Sequence, residues 1–270
     1  MKIKKLDHLS EVHSQYEAYL IDLWGVIHNG IRLNEPAIKA VSELEKKGKK
    51  ITFLSNAPRP AKNVIEFLKK LQMNEKFLKN VLTSGEAAIS SLRQNKFGKK
   101  FFHLGPQRDE TLFFDFKQNK TTIEKCEFIL CTGLFDNEEE NLKFYKDLLK
   151  NSTEKKFVCT NPDLIVHVGN EPEYCAGKIA EIFETLGGKV IYFGKPHKEV
   201  YLSCLNENQK TLVIGDNIRT DIKGANNMNL DSLFITSGIH KSKLINKESV
   251  EEFLKLNNVT ANYFQKELTW

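Results

Sequence analysis

Short apolar runs alternate along the chain with longer segments in which apolar residues recur at helical spacing. The runs are rich in β-branched and aromatic residues and predict strands at residues 19–27, 50–54, 101–104, 128–130, 157–160, 189–193, 212–214 and 232–236. The longer segments predict helices at residues 36–47, 60–71, 86–94, 138–150, 175–186, 198–206 and 220–228. Parallel strands need crossover connections of this kind, so we expect an α/β protein whose sheet is covered by helices on both faces.

Polar side chains stand at the ends of four of the predicted strands. Asp22 interrupts the first run, and Ser55 and Asn56 follow the second. Lys195 and Asp216 stand after two later runs, each directly behind a glycine. Because ligands of open parallel sheets bind at the carboxyl ends of the strands, these groups are expected to converge on one crevice.

Carboxylates, a hydroxyl and an ammonium group in one crevice favour phosphate chemistry. Asp22 and Asp216 can share Mg²⁺, a cation that prefers oxygen ligands. Ser55 and the N–H groups that follow it can bind phosphate oxygens, and Lys195 adds a positive charge. Asp221 lies close enough to Asp216 in sequence to orient Lys195 or a metal-bound water. Asp22 is then free to attack phosphorus and form an aspartyl-phosphate.

Composition indicates a globular protein with a Lys-rich surface. Hydrophobic residues are 40% and charged residues 28% of 270 residues, which excludes collagen-like and strongly disordered classes. The formal net charge is +5, but the lysines are interspersed with Asp and Glu, which argues against a nucleic-acid partner. No apolar run approaches the roughly 18 residues of a membrane span. Without a recognisable secretory signal or Cys-x-x-Cys pair, we expect a cytoplasmic protein with buried free thiols and no membrane partner.

Four short motifs give the chain a resemblance to a known family. In order they are Asp22-Leu-Trp-Gly-Val, Ser55-Asn56, Gly194-Lys195-Pro196, and Gly215-Asp216-Asn217 with Thr220-Asp221. They resemble the motifs of the haloacid dehalogenase superfamily over nearly the whole chain. Segments 82–88, 103–109 and 160–163 are similar to subfamily IIA, whose better-known members are phosphatases of nucleotides, pyridoxal phosphate and aryl phosphates.

The resemblance implies a doubly wound, Rossmann-like core with an inserted α/β cap. Residues 1–80 and 188–270 would form the core, and residues 81–187 would form a cap of the C2 type. The substrate would bind where cap meets core, and closure of the cap would exclude water. Because relatives form dimers through the cap, a homodimer is a further expectation.

The resemblance also implies a Mg²⁺ site. Asp22 would be both the nucleophile and a metal ligand, and the main-chain carbonyl of Trp24 would be a second ligand. Asp216 would complete the protein side of the metal site. Asp221 and Asn217 would contact these ligands and orient them without binding the metal themselves.

A second group of residues is implied to contact the substrate. Ser55, Asn56 and Lys195 would bind the phosphoryl group during transfer, and Lys195 would take part in catalysis. Asn161 and Asp163 would belong to the cap loop that screens the substrate. The substrate itself is expected to be a small phosphorylated metabolite.

One position departs from the pattern of the family's phosphatases. Those enzymes carry Asp two positions after the nucleophile, where it protonates the leaving oxygen and later activates water, whereas this chain has Trp24. An indole N–H does not titrate near neutrality, so Trp24 cannot serve as a general acid or base. The loss of such a group costs on the order of 10²–10⁴ in rate, most of all with alkyl phosphates.

Three interpretations of Trp24 stay open. The chain could perform a different chemistry, as dehalogenases and phosphonate hydrolases of the superfamily do, although Asp216 favours Mg²⁺ and phosphorus. His28 or His197 could replace the missing acid. The third interpretation is a protein that binds Mg²⁺ and a phosphate compound with little turnover, with Trp24 as a stacking surface for the leaving group.

The leading hypothesis is a Mg²⁺-dependent phosphohydrolase that acts on a small phosphorylated metabolite through an aspartyl-phosphate on Asp22. The alternative is a catalytically weak or inactive protein that binds a phosphometabolite or has a regulatory role. Retention of Asp22 favours the first hypothesis, and Trp24 is the reason for keeping the second.

Overall fold

A computed structural model describes residues 3–138, 141–206, 209–240 and 246–270. The strands of these residues are β1 (Lys4–Lys5), β2 (Ala18–Ile21), β3 (Lys50–Ser55), β4 (Val81–Thr83), β5 (Phe101–Leu104), β6 (Phe128–Cys131), β7 (Lys156–Cys159), β8 (Ile165–Val168), β9 (Glu171–Tyr174), β10 (Val190–Tyr192), β11 (Thr211–Gly215), β12 (Asp231–Ile235) and β13 (Tyr263–Gln265). The α-helices are α1 (Glu35–Lys46), α2 (Ala61–Lys70), α3 (Ser84–Arg93), α4 (Leu142–Leu149), α5 (Ala176–Thr185), α6 (Lys198–Leu202), α7 (Lys223–Asn227) and α8 (Lys247–Leu256). Within this part of the chain, no helix has the length and apolar character needed to cross a lipid bilayer.

The larger sheet joins strands from both ends of the chain. Its order is β1-β13-β12-β11-β2-β3-β4, and every neighbouring pair is parallel. Tyr19 and Ile21 of β2 pack into one apolar cluster with α1 and α2, whereas Leu20 packs into another with α6 and α7. Alternate residues of a strand thus enter the cores on opposite faces of the sheet. This confirms the predicted α/β fold with a doubly wound, Rossmann-like sheet.

The smaller sheet is also parallel, in the order β10-β7-β6-β5. Helices α4 and α5 cover one face, where Phe157 and Phe183 are fully buried. Helix α3 and the 3₁₀ segment Gln107–Asn119 cover the other face, around Phe101 and Phe113. Strands β8 and β9 form a separate antiparallel hairpin between β7 and α5.

Strand pairing bears on the expected division into core and cap. Strand β4 pairs with β3 in the larger sheet, although residue 81 was expected to begin the cap. Strand β10 pairs with β7 in the smaller sheet, although residue 188 was expected to begin the second core segment. We propose that the inserted cap begins after β4 and ends after β10, a few residues beyond each expected boundary.

Several elements differ in extent from the sequence-based expectations. The first strand ends at Ile21 rather than at residue 27, because Asp22 begins a long turn. Helix α4 begins at Leu142, where the Asn141 side chain accepts a hydrogen bond from the Phe144 N–H at 3.1 Å; residues 139–140 of the predicted helix lie outside the described residues. Helix α6 ends at Leu202, and the predicted helix 220–228 begins as a π-helical turn at Ile218–Ile222.

Other elements were not predicted, mainly because their sequences lack a clear apolar pattern. All residues of β1 and β9 are exposed, and β4 and β13 contain only three residues each. Such strands form because they pair with a neighbouring strand. Their sequences therefore need not show the alternating apolar pattern of a half-buried strand. The hairpin β8–β9 nevertheless forms part of the cavity at the candidate active site.

Candidate active site

The parallel register brings the predicted site residues to one edge of the larger sheet. Ile21 pairs with both Ile214 and Phe53, so β2, β11 and β3 end side by side. Asp22 follows β2, and its N–H donates to the Ile214 carbonyl at 2.9 Å. Ser55 ends β3 and Asp216 follows β11. The three side chains are buried and line one cavity, as the strand-end pattern predicted.

Lys195 reaches this edge from the loop after β10. Its Nζ lies 2.5 Å from Asp22 Oδ1 and 2.6 Å from Asp221 Oδ1, with only 3% of the residue exposed. Asn56 fixes the Lys195 backbone, because its Oδ1 accepts from the Lys195 N–H at 2.8 Å and its Nδ2 donates to the Lys195 carbonyl at 3.2 Å. The flanking carboxylates raise the pKa of Lys195 well above its ordinary value despite burial, so the ammonium stays charged.

The side chains of this edge also fit a divalent cation. Carboxylate oxygens of Asp22, Asp216 and Asp221 all lie within 4.8 Å of one another. Burial and the neighbouring carboxylates raise the pKa of Asp22 well above its usual range and that of Asp216 to about 8, although Lys195 lowers both. One ammonium therefore does not offset three buried carboxylates, and a further positive charge would stabilise them. A set of carboxylate oxygens is the chemistry that Mg²⁺ prefers.

The main chain is shaped around Asp216. Its Oδ2 accepts a hydrogen bond from the Ile239 N–H at 2.8 Å. A Cβ added at Gly25 or Gly238 would overlap the Asp216 carboxylate, so two glycines let the backbone approach it closely. Gly25 also has a φ of +91°, a conformation that other residues rarely adopt. These features hold the carboxylate in one place, as a metal ligand requires.

The remaining predicted residues connect this edge of the sheet to the loop after β7. The Asn217 N–H donates to Asp221 Oδ2 at 3.1 Å, and Asn217 Nδ2 donates to Asp163 Oδ1 at 3.1 Å. Asn161 Oδ1 accepts from the Asp163 N–H at 3.1 Å and so shapes that loop. Burial raises the pKa of Asp163 to about 6, although Lys195 opposes the shift. Asn161, Asp163 and Asn217 all line the cavity.

The residues predicted to bind phosphate lie close together in the structure. Ser55 and Asn56 are buried and line the cavity beside Lys195. The Ser55 hydroxyl accepts from the Ala57 N–H at 3.2 Å, which stabilises the turn after β3. Both polar atoms of the Asn56 side chain bond to Lys195, so this side chain positions the lysine.

Trp24 contacts the hairpin β8–β9. Its Nε1–H donates to the main-chain carbonyl of His167 at 2.8 Å, and the Gly169 N–H donates to the Asn29 carbonyl at 2.9 Å. These two bonds attach the hairpin to the turn that follows Asp22. Trp24 also lines the cavity, two residues after Asp22. Sequence reasoning missed this contact because its acceptor is a backbone atom, which leaves no signal in residue type.

The two histidines considered as replacement acids are both packed against other rings. His28 is 4% exposed, its Nδ1 accepts from the Gly30 N–H at 3.1 Å, and burial lowers its pKa to about 4. Its ring packs edge-on against Trp24 and Phe67. His197 stacks on Tyr192 with ring centroids 5.2 Å apart, and among the described residues it is not part of the cavity lining. His28 does line the cavity, but its contacts, like those of His197, favour a packing role.

The cavity lies where the two sheets and the hairpin meet. It has a volume of about 1290 Å³ and is lined by the turns after β2, β3 and β11, by the loops after β5, β6 and β7, and by the hairpin. A cavity of this size exceeds the usual range for small-molecule sites, which is roughly 300–1,000 Å³. The fold and these side chains define an α/β protein with an Asp-Lys-Asp site at the strand ends.

Comparison with known proteins gives the family. A sequence family described as haloacid dehalogenase-like hydrolase matches residues 19–116, and a second, described as HAD-hydrolase-like, matches residues 192–261. The chain belongs to the haloacid dehalogenase-like hydrolases, as its four motifs suggested. The matched segments contain Asp22, Ser55, Lys195, Asp216 and Asp221.

Individual relatives cover most of the chain. The 5'-nucleotidase YutF of Bacillus subtilis is 25% identical over 84% of this chain and 89% of its own length. The acid sugar phosphatase of Staphylococcus aureus (strain MRSA252) is 24% identical over 94% of this chain and 96% of its own. A solved haloacid dehalogenase-like hydrolase from Brucella suis 1330 has a TM-score of 0.87 and 29% identity, covering 98% of this chain and 100% of that one.

Proposed function

We propose that this protein is a Mg²⁺-dependent phosphatase that hydrolyses the phosphate monoester of a small metabolite through an aspartyl-phosphate on Asp22. The observation that carries the proposal is the buried arrangement of Lys195 between Asp22 and Asp221, with Asp216 in the same cluster. The relatives named above, a nucleotidase and a sugar phosphatase, support the same reaction class.

Asp22, Asp216 and the main-chain carbonyl of Trp24 would hold the Mg²⁺ ion. When bound, the ion supplies positive charge that lowers the cost of bringing an anionic phosphate next to a carboxylate. Asp221 fixes Lys195 in place. The charged Lys195 ammonium and Ser55 both face the phosphoryl oxygens.

In the first step a carboxylate oxygen of Asp22 attacks phosphorus, and the bond from phosphorus to the leaving oxygen breaks with its electron pair. In the second step water attacks the phosphorus of the aspartyl-phosphate, the phosphorus–Asp22 bond breaks, and inorganic phosphate and the free carboxylate result. The Trp24 side chain donates its single N–H to the His167 carbonyl and supplies no proton to the leaving oxygen. The leaving oxygen must therefore depart as a stable anion or take its proton from water, which favours substrates with good leaving groups.

The experiment is phosphate release from p-nitrophenyl phosphate and from an alkyl phosphate, with Mg²⁺ and with EDTA. We expect Mg²⁺-dependent release from the aryl ester, much slower release from the alkyl ester, and none with Asp22→Asn. Asp147→Asn is the matched control, because Asp147 forms a surface ion pair with Lys150. Wild-type release that persists in Asp22→Asn would overturn the mechanism.

A second candidate function is a binding protein with little or no turnover. The observation in its favour is Trp24, which fills the position of the family's acid–base residue and is hydrogen-bonded to the hairpin. Calorimetric titration with inorganic phosphate in the presence of Mg²⁺ separates the two functions. Binding to wild type and Asp22→Asn alike, without release from any ester, would favour the binding protein.

Localisation and assembly complete the proposal. We propose a cytoplasmic enzyme, because four of its five cysteines are buried free thiols, which a reducing compartment preserves. We also propose that it forms a homodimer, and light scattering after size-exclusion chromatography will give the mass. The substrate is a small metabolite because the cavity lies between the two sheets and the hairpin, rather than along an open basic groove of the kind that nucleic acids need.

A further inference from the structure

Arginine is rare in this chain but common in the cavity. Only five of the 40 Lys and Arg residues are arginines, and three of these five line the cavity: Arg32, Arg59 and Arg108. Of the lysines that the structure describes, only Lys195 does so. A planar guanidinium matches a carboxylate or a phosphate with paired N–H donors, whereas an ammonium acts as a point charge. The cavity thus concentrates the side chain suited to recognising such anions.

The backbone of Arg59 is held in place on the substrate side of the turn after β3. Pro58 and Pro60 flank it, and its carbonyl accepts a hydrogen bond from Thr83 Oγ1 at 2.7 Å. A Cβ at Gly85 would lie 2.7 Å from the Arg59 nitrogen, so helix α3 packs directly against this turn. The position of Arg59 is therefore fixed before any ligand binds.

A buried carboxylate orients the Arg59 side chain. Asp109, only 2% exposed, places Oδ1 3.1 Å from Arg59 Nε. Burial raises the pKa of Asp109, while Arg59 and then Arg108 lower it. This contact is an ion pair rather than an aligned hydrogen bond, because Arg59 Nε and Asp109 Oδ1 have no hydrogen-bond partner in the described structure. The other four N–H donors of the guanidinium lie on its two terminal nitrogens. Asp109 and Asp136 offset the formal charge of the two arginines, so this part of the cavity offers an anion guanidinium N–H donors rather than a net positive charge.

Arg108 stands next to Asp109 on an anchored loop. The Gln107 N–H donates to Asp136 Oδ2 at 2.9 Å, and the Asp109 N–H donates to the Pro106 carbonyl at 3.1 Å. The loop is thus fixed on both sides of Arg108, whose side chain is exposed and lines the cavity. Arg32, the third arginine, lies in the loop before α1 and also lines a neighbouring groove.

We propose that Arg59 and Arg108 bind a second anionic group of the substrate, a carboxylate or a second phosphate. This inference rests on the proposed phosphatase function, because the first anion is the phosphoryl group at Ser55 and Lys195. Residues 55–59 line the cavity without a break. Four residues of extended chain span at most about 14 Å, so Ser55 and Arg59 are close enough for one small molecule to contact both. The substrate class is an anionic metabolite that also carries a phosphate ester.

The test compares inhibitors of p-nitrophenyl phosphate hydrolysis that differ only in their tails. Alkyl phosphates are matched with ω-carboxyalkyl phosphates and alkanediol bisphosphates of the same chain lengths, and Ki is measured for each. The variants are Arg59→Gln and Arg108→Gln. Arg93→Gln is the matched control, because Arg93 forms a surface ion pair with Asp115 and does not line the cavity.

We expect the second anion to tighten Ki by roughly 10-fold to 100-fold in the wild type, the range for hydrogen bonds to charged groups. Each cavity variant should lose most of this advantage, whereas Arg93→Gln should keep it. The tail that gives the larger advantage identifies the anion as carboxylate or phosphate. Equal Ki values for charged and uncharged tails, or an advantage that survives in Arg108→Gln, would overturn the inference.

Failure of the proposed function gives a different result. If the wild type does not hydrolyse p-nitrophenyl phosphate, the phosphatase proposal fails. Calorimetric Kd values for the same compounds then replace Ki, and the ratio of Kd between uncharged and charged tails tests the inference in the same way. Arg59→Gln leaves Asp109 buried without its partner and is checked for folding by circular dichroism. The exposed Arg108 gives a second variant that does not carry this cost.

Discussion

Replacing Lys195 by Met removes the only ammonium group at the centre of the site in the described structure. Its Nζ is 2.5 Å from Asp22 and 2.6 Å from Asp221, and the lysine is 3% exposed. The variant keeps most of the volume of the side chain but leaves two buried carboxylates without their cation. Loss of one partner of a buried ion pair costs about 3–5 kcal/mol, because the remaining charge stays desolvated.

This cost is large enough to measure as a change in melting temperature. For a protein of roughly this size, 1 kcal/mol shifts the melting temperature by about 2–4 °C, so Lys195→Met should melt roughly 6–20 °C below the wild type. The assay is thermal unfolding followed by circular dichroism, in EDTA so that no cation replaces the ammonium. Asp221→Asn in the Lys195→Met background should recover part of the loss, since it removes one of the unpaired charges.

The matched control is Lys150→Met. Lys150 also pairs with a carboxylate, Asp147, but its side chain is 53% exposed. Such surface changes stay within about 0.5 kcal/mol. If Lys195→Met melted together with Lys150→Met, the buried cluster would not have the electrostatic character described here, and the reasoning would be refuted.

Three further predictions concern the acid position, the metal and the pH. Trp24→Asp restores a carboxyl group two residues after Asp22 and should raise alkyl relative to aryl phosphate turnover on the order of 10²-fold; an unchanged ratio in phosphate release would contradict the role given to Trp24. Mg²⁺ at about 100 times its Kd should stabilise the wild type by roughly 2.7 kcal/mol in thermal unfolding, and Asp216→Asn should abolish most of that gain. His103 is buried with its pKa lowered, mainly by burial, from 6.5 to about 4. Its neutral form therefore contributes stability that is complete above about pH 6.5 and is lost as the pH falls towards 4, by about 3 kcal/mol. Unfolding across this range should show a smaller loss in His103→Gln than in the wild type, and equal losses would contradict the assignment.

Much of the site followed from where polar residues interrupt the apolar pattern. Asp22, Ser55 and Asp216 each stand where a buried strand ends, and parallel pairing brings strand ends together. Lys195 follows β10 of the smaller sheet, yet its side chain reaches the same cluster. The apolar pattern of a strand and the polar residue at its end are both local features of the sequence, so both could be predicted without the structure.

The walls of the cavity depend on contacts that sequence patterns do not encode. Trp24 binds a backbone carbonyl of the hairpin, whose strand β9 is exposed throughout and has no apolar period. Arg59 and Arg108 lie far apart in sequence, yet both line the cavity, where Arg59 pairs with Asp109, the residue that follows Arg108. The scarcity of arginine was visible in the composition, but only the fold reveals where the few arginines lie.

The central claim is that Asp22 accepts the phosphoryl group, and trapping that group tests it most directly. The protein is mixed with p-nitrophenyl phosphate and Mg²⁺, quenched in acid within the first turnovers, digested with pepsin at low pH and examined by mass spectrometry. We predict one phosphoryl group on the peptide that contains Asp22, and none after the same treatment of Asp22→Asn or of the wild type in EDTA. Steady hydrolysis with the phosphoryl group on another residue, or hydrolysis that continues in Asp22→Asn, would contradict the account.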